Sequence, residues 1–127
     1  SALHSSGVDG LMDACDPGGV AGLRSFFKST LMDALSYTGG GSNGQAVIDT
    51  IGAQLAAKYH AHVADHPGAP PAVSLFAHSL GSVISFDLLA YGGSTFQGIA
   101  YPKLPFEVDN FFACGSPVAA FLLARKQ

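Results

Sequence analysis

The sequence predicts an α/β protein in which parallel strands are flanked by helices and the sheet is incomplete. Three observations carry this. Two short apolar runs, Val73 to Ala77 and Asn110 to Cys114, have the length and residue types of buried strands. One helix-like stretch and a long connection separate them, so a βαβ crossover is expected to set them side by side and parallel. Only 12% of residues are charged, which suits strands covered on both faces. Two strands are too few for a stable sheet, so the chain reads as an interior piece of a larger domain.

The elements follow in order. Residues 1–19 are rich in Gly, Ser and Asp, close on Pro17-Gly18-Gly19, and read as a loop-rich tail; residues 20–127 are the domain. From Val20, apolar residues recur at Leu23, Phe26, Phe27, Leu31, Ala34 and Leu35 with helical spacing. Gly39 to Gly44 is expected to be a flexible break. Gln45 to about Ala64 is the best amphipathic helix, with Val47, Ile48, Ile51, Leu55, Tyr59 and Val63 in register. Asp65 to Pro71 is a turn, and the first strand follows, expected to be largely buried. Leu80 to about Ala90 is the helix behind it. Tyr91 to Val108, with three glycines and two prolines, is a long connection. The second buried strand comes next, and Pro117 to Ala124 begins another helix.

Composition excludes several classes of function. With 127 residues, the chain is one domain at most. A formal net charge of −3 gives no reason to expect nucleic acid, which calls for basic patches. Cys15 and Cys114 lie far apart, without metal or redox spacing, and are expected as free thiols. His60 and His62, two apart on a helix, point to different faces and fail as a metal pair. No metal or other cofactor is expected. There is no signal-peptide pattern and no apolar stretch of membrane-spanning length. The chain begins at Ser1, which suggests a trimmed start. The expected location is cytoplasmic, with peripheral attachment to a membrane as a variant.

The chemistry concentrates in Ala77-His78-Ser79-Leu80-Gly81. A strand ends there and a helix begins at once, the layout of a nucleophile elbow, in which a sharp turn projects the serine hydroxyl above the sheet. Such a turn is expected to crowd the backbone, so Ala77 and Gly81 should be small for steric reasons. Ser79 would be the nucleophile, and the backbone N–H of Leu80 an oxyanion donor. The alternative is a strand, a Ser-Gly turn and a buried helix without chemistry.

His78-Ser79-Leu80-Gly81-Ser82-Val83-Ile84, followed by Phe86-Asp87-Leu88-Leu89, resembles the DDHD-domain family of intracellular phospholipases A1. Phe111-Phe112-Ala113-Cys114-Gly115-Ser116-Pro117-Val118 resembles the same family's Phe-Phe-x-x-Gly-Ser-Pro segment. Thr30 to Tyr37 and Val47 to Ile51 match more weakly, so the resemblance covers roughly Leu23 to Arg125. It implies a partial α/β-hydrolase-like fold and an acyl-enzyme on Ser79. The implied substrate is a glycerophospholipid cleaved at its sn-1 ester, or a neutral glycerolipid, at a membrane surface. Protein partners are not indicated.

The rest of a serine triad is missing from the pattern. The order in such enzymes is Ser, then acid, then His, yet His4, His60, His62, His66 and His78 all precede or adjoin Ser79. Asp87 lies two turns down the helix and Asp109 at the bottom edge of the second strand. His78, Gly115 and Ser116 are expected beside the serine, because adjacent parallel strands end together. Ser116 could position substrate, although Ser-Pro also forms turns. Two readings remain open: an ester hydrolase whose base and acid lie elsewhere, and an inactive fragment, pseudoenzyme or interaction module.

Overall fold

A computed structural model describes residues 42–126 together with Ser25, Ser29 and Tyr37. The expected tail at residues 1–19 lies outside the described residues, as does most of the first helix. Ser25 and Ser29, in a first unit of the chain (Ser1–Ser36), are helical and exposed. Everything else described belongs to a second unit, Tyr37–Gln127.

Its elements are α1 (Ser42–Asp65), β1 (Ser74–His78), α2 (Leu80–Tyr91), β2 (Thr95–Phe96), β3 (Ile99–Ala100), β4 (Asn110–Cys114) and α3 (Val118–Ala124). β1 and β4 pair in parallel, with Ser74 opposite Asn110 and His78 opposite Cys114. The expected α/β arrangement of helices around parallel strands is present in this two-stranded form. Asp109 pins the lower end: its N–H donates to the Val73 carbonyl at 2.8 Å, and its Oδ2 accepts from the Val73 N–H at 2.7 Å.

Burial of the strands differs from expectation. Phe76 is 77% exposed and Phe112 45% exposed. Their rings stack on each other with centroids 4.4 Å apart. Successive strand residues point to opposite faces. Leu75, Ala77 and Phe111 are half-buried, whereas Ser74, Phe76, His78 and Phe112 are exposed. Among the described residues β1 is therefore covered on one face, and β4 is covered only at Phe111.

α1 begins earlier than its glycines suggest. Gly44 is buried inside it, and a Cβ there would lie 2.8 Å from the Tyr37 carbonyl oxygen. The glycine permits a close approach rather than a flexible break. The inward stripe runs from buried Ile48 through half-buried Ile51, Leu55 and Tyr59, while Val47 and Val63 are exposed. Val47 lies off the stripe, and every residue from 60 to 70 is exposed, so the last turn of α1 is not covered by the described residues.

The long connection after α2 contains a hairpin, β2–β3. Its turn residues, Gln97 and Gly98, have φ of 48° and 78°, the signs a type I′ turn requires. The Gln45 amide caps this hairpin, donating to the Ala100 carbonyl and accepting from the Ala100 N–H, both at 2.8 Å. Tyr91 stacks on Phe96 with centroids 4.1 Å apart.

The core is formed by Tyr37, Ile48, Val83, Ile84, Leu88, Ile99, Tyr101 and Phe121. At its centre is a charge. Asp87 on α2 is fully buried. The Arg125 guanidinium, just past α3, reaches it bidentately, with Nη1 to Oδ1 at 2.7 Å and Nη2 to Oδ2 at 2.9 Å. The hydroxyls of Tyr37 and Tyr101 each lie 3.5 Å from Asp87 Oδ2, at the long limit of a hydrogen bond. Burial opposes the Arg125 charge, but the hydrogen bonds and charge of Asp87 outweigh it and raise the guanidinium's pKa. Burial, Tyr101 and the Asp87 charge push the Tyr37 phenol far above its ordinary value, and burial and Asp87 raise Tyr101 as well.

Two outcomes are expected. Asp87→Ala or Arg125→Ala should each lower the stability of the chain in urea unfolding by about 3–5 kcal/mol, because each leaves a buried charge unpaired. The double substitution should cost less than the sum. Ultraviolet titration should show the Tyr37 and Tyr101 phenols ionising late, with one late step lost in Tyr37→Phe. Phenols of the unfolded chain ionise near their ordinary value of 10.0. The sign follows: this contribution to stability is intact below about pH 10 and falls as pH rises past it.

Candidate active site

Ser79 is the single residue between β1 and α2. Its φ is 52° and its ψ −125°, a region that residues with a side chain avoid, at a cost of about 1–3 kcal/mol. Hydrogen bonds hold it there from both sides. Its N–H donates across the sheet to the Cys114 carbonyl at 3.1 Å. Its carbonyl accepts from the Ser82 N–H at 3.0 Å and from the Ser82 hydroxyl at 2.5 Å. The strained strand-to-helix turn expected from sequence is thus where Ser79 lies, with the strand running one residue further, through His78.

The Ser79 side chain makes no capping bond to α2, so its hydroxyl is not spent on the helix end. Leu80 and Gly81 open α2, and helix geometry leaves their N–H groups without an intrahelical acceptor. The Leu80 N–H therefore stands at the positive end of a 12-residue helix, beside a half-buried serine. The crowding expected at Gly81 is absent: a Cβ there would meet nothing within 4 Å. The described elements leave that side of the turn open.

The tight contact is on the β4 side. Gly115 has φ +53°, and a Cβ on it would come within 3.3 Å of His78 Nε2. The exposed His78 ring thus lies against Gly115 at the end of the strand pair. Ser116 follows. Its Oγ accepts from the Val118 N–H at 3.2 Å and lies 2.6 Å from the Ser82 Oγ. The Ser116 hydroxyl is engaged in the turn that starts α3. Cys114 is a free, exposed thiol.

Several of the described titratable groups are engaged away from Ser79. His66 directs Nδ1 to the His62 carbonyl at 3.0 Å, and the two rings stack at 4.3 Å, before β1 begins. Asp109 is bound at the start of β4 and Asp87 is enclosed with Arg125. Among the described residues no group of three or more His, Cys, Asp and Glu could hold a metal ion.

Two residues escaped the sequence reading. Ser82 is fully buried beneath the turn, and Arg125 is the partner that Asp87 needs. The signal for the second was present: a lone carboxylate inside an otherwise uncharged helix, Leu80–Tyr91. Such a group must find a cation. Nothing local identified which one, since Arg125 is 38 residues away.

No family model and no solved structure matches the chain. Curated proteins do. A probable mitochondrial phospholipase of Schizosaccharomyces pombe is 36% identical over 104 residues, covering 80% of this chain and 13% of that protein. Triacylglycerol hydrolase DDHD2 of Homo sapiens is 33% identical over 89 residues, 70% of this chain and 12% of that protein. Phospholipase SGR2 of Arabidopsis thaliana is 34% identical over 80 residues, 63% of this chain and 8% of that protein. The chain thus spans between 8% and 13% of the length of these relatives.

The backbone at Ser79 makes a stability prediction. Ser79→Gly should be more stable than Ser79→Ala by about 1–3 kcal/mol in urea unfolding, because glycine tolerates the positive φ and alanine does not. Equal stability of the two variants would mean that the turn carries no strain.

Proposed function

The chain belongs to the DDHD-domain phospholipase family, and we propose that it carries the nucleophile of a serine carboxylic-ester hydrolase acting on lipids. The carrying observation is the backbone of Ser79, held at φ 52° between a parallel strand and a helix N-terminus. In this reading Ser79 Oγ attacks an ester carbonyl and gives its proton to a histidine in another part of the longer protein. The carbonyl oxygen becomes an oxyanion facing the Leu80 N–H. The ester C–O bond breaks and the alcohol leaves with the proton. Water then hydrolyses the acyl-Ser79 ester and releases the fatty acid.

The triad acid and the second oxyanion donor are likewise assigned to the longer protein. His78, Gly115 and Ser116 border the serine and would line the approach to it. The proposed substrate is a glycerophospholipid cut at its sn-1 ester. The relative named as a triacylglycerol hydrolase supports neutral glycerolipids as the second choice. Such substrates lie in membranes or lipid droplets, so peripheral attachment from the cytoplasmic side is part of the proposal. No helix among the described residues is long and apolar enough to cross a membrane. The name of the fission-yeast relative makes the mitochondrial surface the first place to look.

The test compares the full-length gene product, its Ser79→Ala variant and the 127-residue chain on a short-chain ester, a phosphatidylcholine and a triacylglycerol. The full-length protein should turn over, and Ser79→Ala should lose about 10⁴-fold or more. The short chain should show negligible turnover, since no histidine follows Ser79 in it. Activity that survives Ser79→Ala would remove Ser79 as nucleophile. An inactive full-length protein would favour an interaction module.

A further inference from the structure

The two sequence blocks that flank the site are joined by one chain of hydrogen bonds. The Ser82 Oγ lies 2.5 Å from the Ser79 carbonyl oxygen and 2.6 Å from the Ser116 Oγ. The Ser116 Oγ lies 3.2 Å from the Val118 backbone nitrogen. Each hydroxyl has one proton to give. The Ser79 carbonyl can only accept, so the Ser82 proton points to it. The Ser116 proton must then point to Ser82 Oγ, while Ser116 accepts from the Val118 N–H. All three contacts are satisfied by one direction of donation: Val118 to Ser116 to Ser82 to Ser79. Ser82 has no exposed surface and Ser116 is half-buried, so water competes little for these bonds.

The end of this chain is the sensitive point. The Ser79 C=O and the Leu80 N–H belong to one planar peptide unit and point in opposite directions. Fixing the carbonyl into the helix fixes the N–H out of it. The Ser82 N–H also donates to that carbonyl, at 3.0 Å. That bond comes with the helix. The hydroxyl bond does not, and it adds a second anchor to the same carbonyl. The strained turn of Ser79 has reason to need one, because relaxing its ψ would rotate this same peptide.

We infer that Ser82 and Ser116 are positioning residues, whose hydroxyl chain sets the Ser79–Leu80 peptide and so aims the Leu80 N–H at the oxyanion. The inference rests on the proposed role of Ser79. It makes the Gly115-Ser116-Pro117 turn part of the elbow's support and gives its serine a role other than binding substrate.

The test uses the full-length protein with Ser82→Ala, Ser116→Ala, the double variant, Ser116→Thr and, as control, Ser79→Ala. On a soluble short-chain ester, Ser82→Ala and Ser116→Ala should each lower kcat by about 10- to 100-fold with KM unchanged, as displaced catalytic groups do. The double variant should be no worse than the worse single, because a chain is broken once. Ser116→Thr keeps the hydroxyl and should restore kcat. Unchanged kcat in both single variants, or losses that multiply in the double, would overturn the inference.

A second measurement separates this from the nucleophile assignment and covers a Ser82 variant that fails to fold. In the full-length protein, hydrogen exchange at the Ser82 amide should quicken about tenfold in Ser116→Ala relative to Ser116→Thr, with Leu88 unaffected. Equal exchange would overturn the positioning role even if Ser79 is the nucleophile. Faster exchange beside an active Ser79→Ala enzyme would reject the nucleophile and keep the hydroxyl chain as support of the turn.

Discussion

The carboxylate of Asp87 has no exposed surface, and a charge so placed dictates much of what surrounds it. An unpartnered carboxylate there would have to neutralise or remain in water. Arg125 resolves this with two parallel bonds, the arrangement in which a guanidinium is most effective. The consequence is architectural. Asp87 sits two-thirds of the way along α2, and Arg125 follows α3, so the pair ties together the helices that succeed β1 and β4. It also draws the Tyr37 and Tyr101 hydroxyls inward. A hydrophobic pair could hold the same helices together. The ion pair adds registry, because a bidentate fork tolerates little sliding of one helix past the other.

Registry matters because of what lies at the start of α2. The turn at Ser79 costs about 1–3 kcal/mol, and a strained residue at a helix end relaxes by shifting that end. Val83 and Leu88 are buried on the same helix and contribute about 1.5–3 kcal/mol each. They resist dissociation of α2 more strongly than a small rotation about its own axis. Asp87 resists rotation one-third of the way from the helix's far end, and Ser82 resists it near the turn. The strain is thus opposed by directional bonds at two heights on one helix, and burial alone would be a weaker restraint on direction.

Much of this was legible in the sequence, and the limits have physical causes. The paired strands, the helix between them and the position of Ser79 followed from run lengths and from the small residues around the turn, although the crowding invoked at Gly81 is not there. Burial did not follow, because an apolar run such as Asn110–Cys114 states what a strand could bury and not which face is covered. Phe76 and Phe112, exposed and stacked on each other, belong to runs suited to two covered faces. The hairpin at Gln97-Gly98 was missed because glutamine is a poor marker of positive φ, although Gly98 beside it was visible. Gly44 misled in the opposite sense, since a glycine required by a close carbonyl approach looks identical to one in a flexible linker. Within the candidate site, Ser79, Leu80, His78, Gly115 and Ser116 could be listed from the pattern. Ser82 could not, as a serine following a glycine in a helix's first turn has no distinctive spacing.

The distribution of chemistry along the chain has its own logic. The residues gathered around Ser79 serve geometry: Ser82 and Ser116 by hydroxyl bonds, Gly115 by making room for His78, and Cys114 by its carbonyl. None is a carboxylate; Asp87 is committed to Arg125 and Asp109 to the foot of β1. A nucleophile and its oxyanion donors must be placed to within a fraction of an ångström by rigid neighbours. Short-range turns and parallel strands supply that rigidity best. A base and its acid need only reach the nucleophile through a hydrogen bond and can be delivered by loops from distant sequence. The strained turn, its helix and the neighbouring strand are therefore the kind of geometry that local sequence is able to encode.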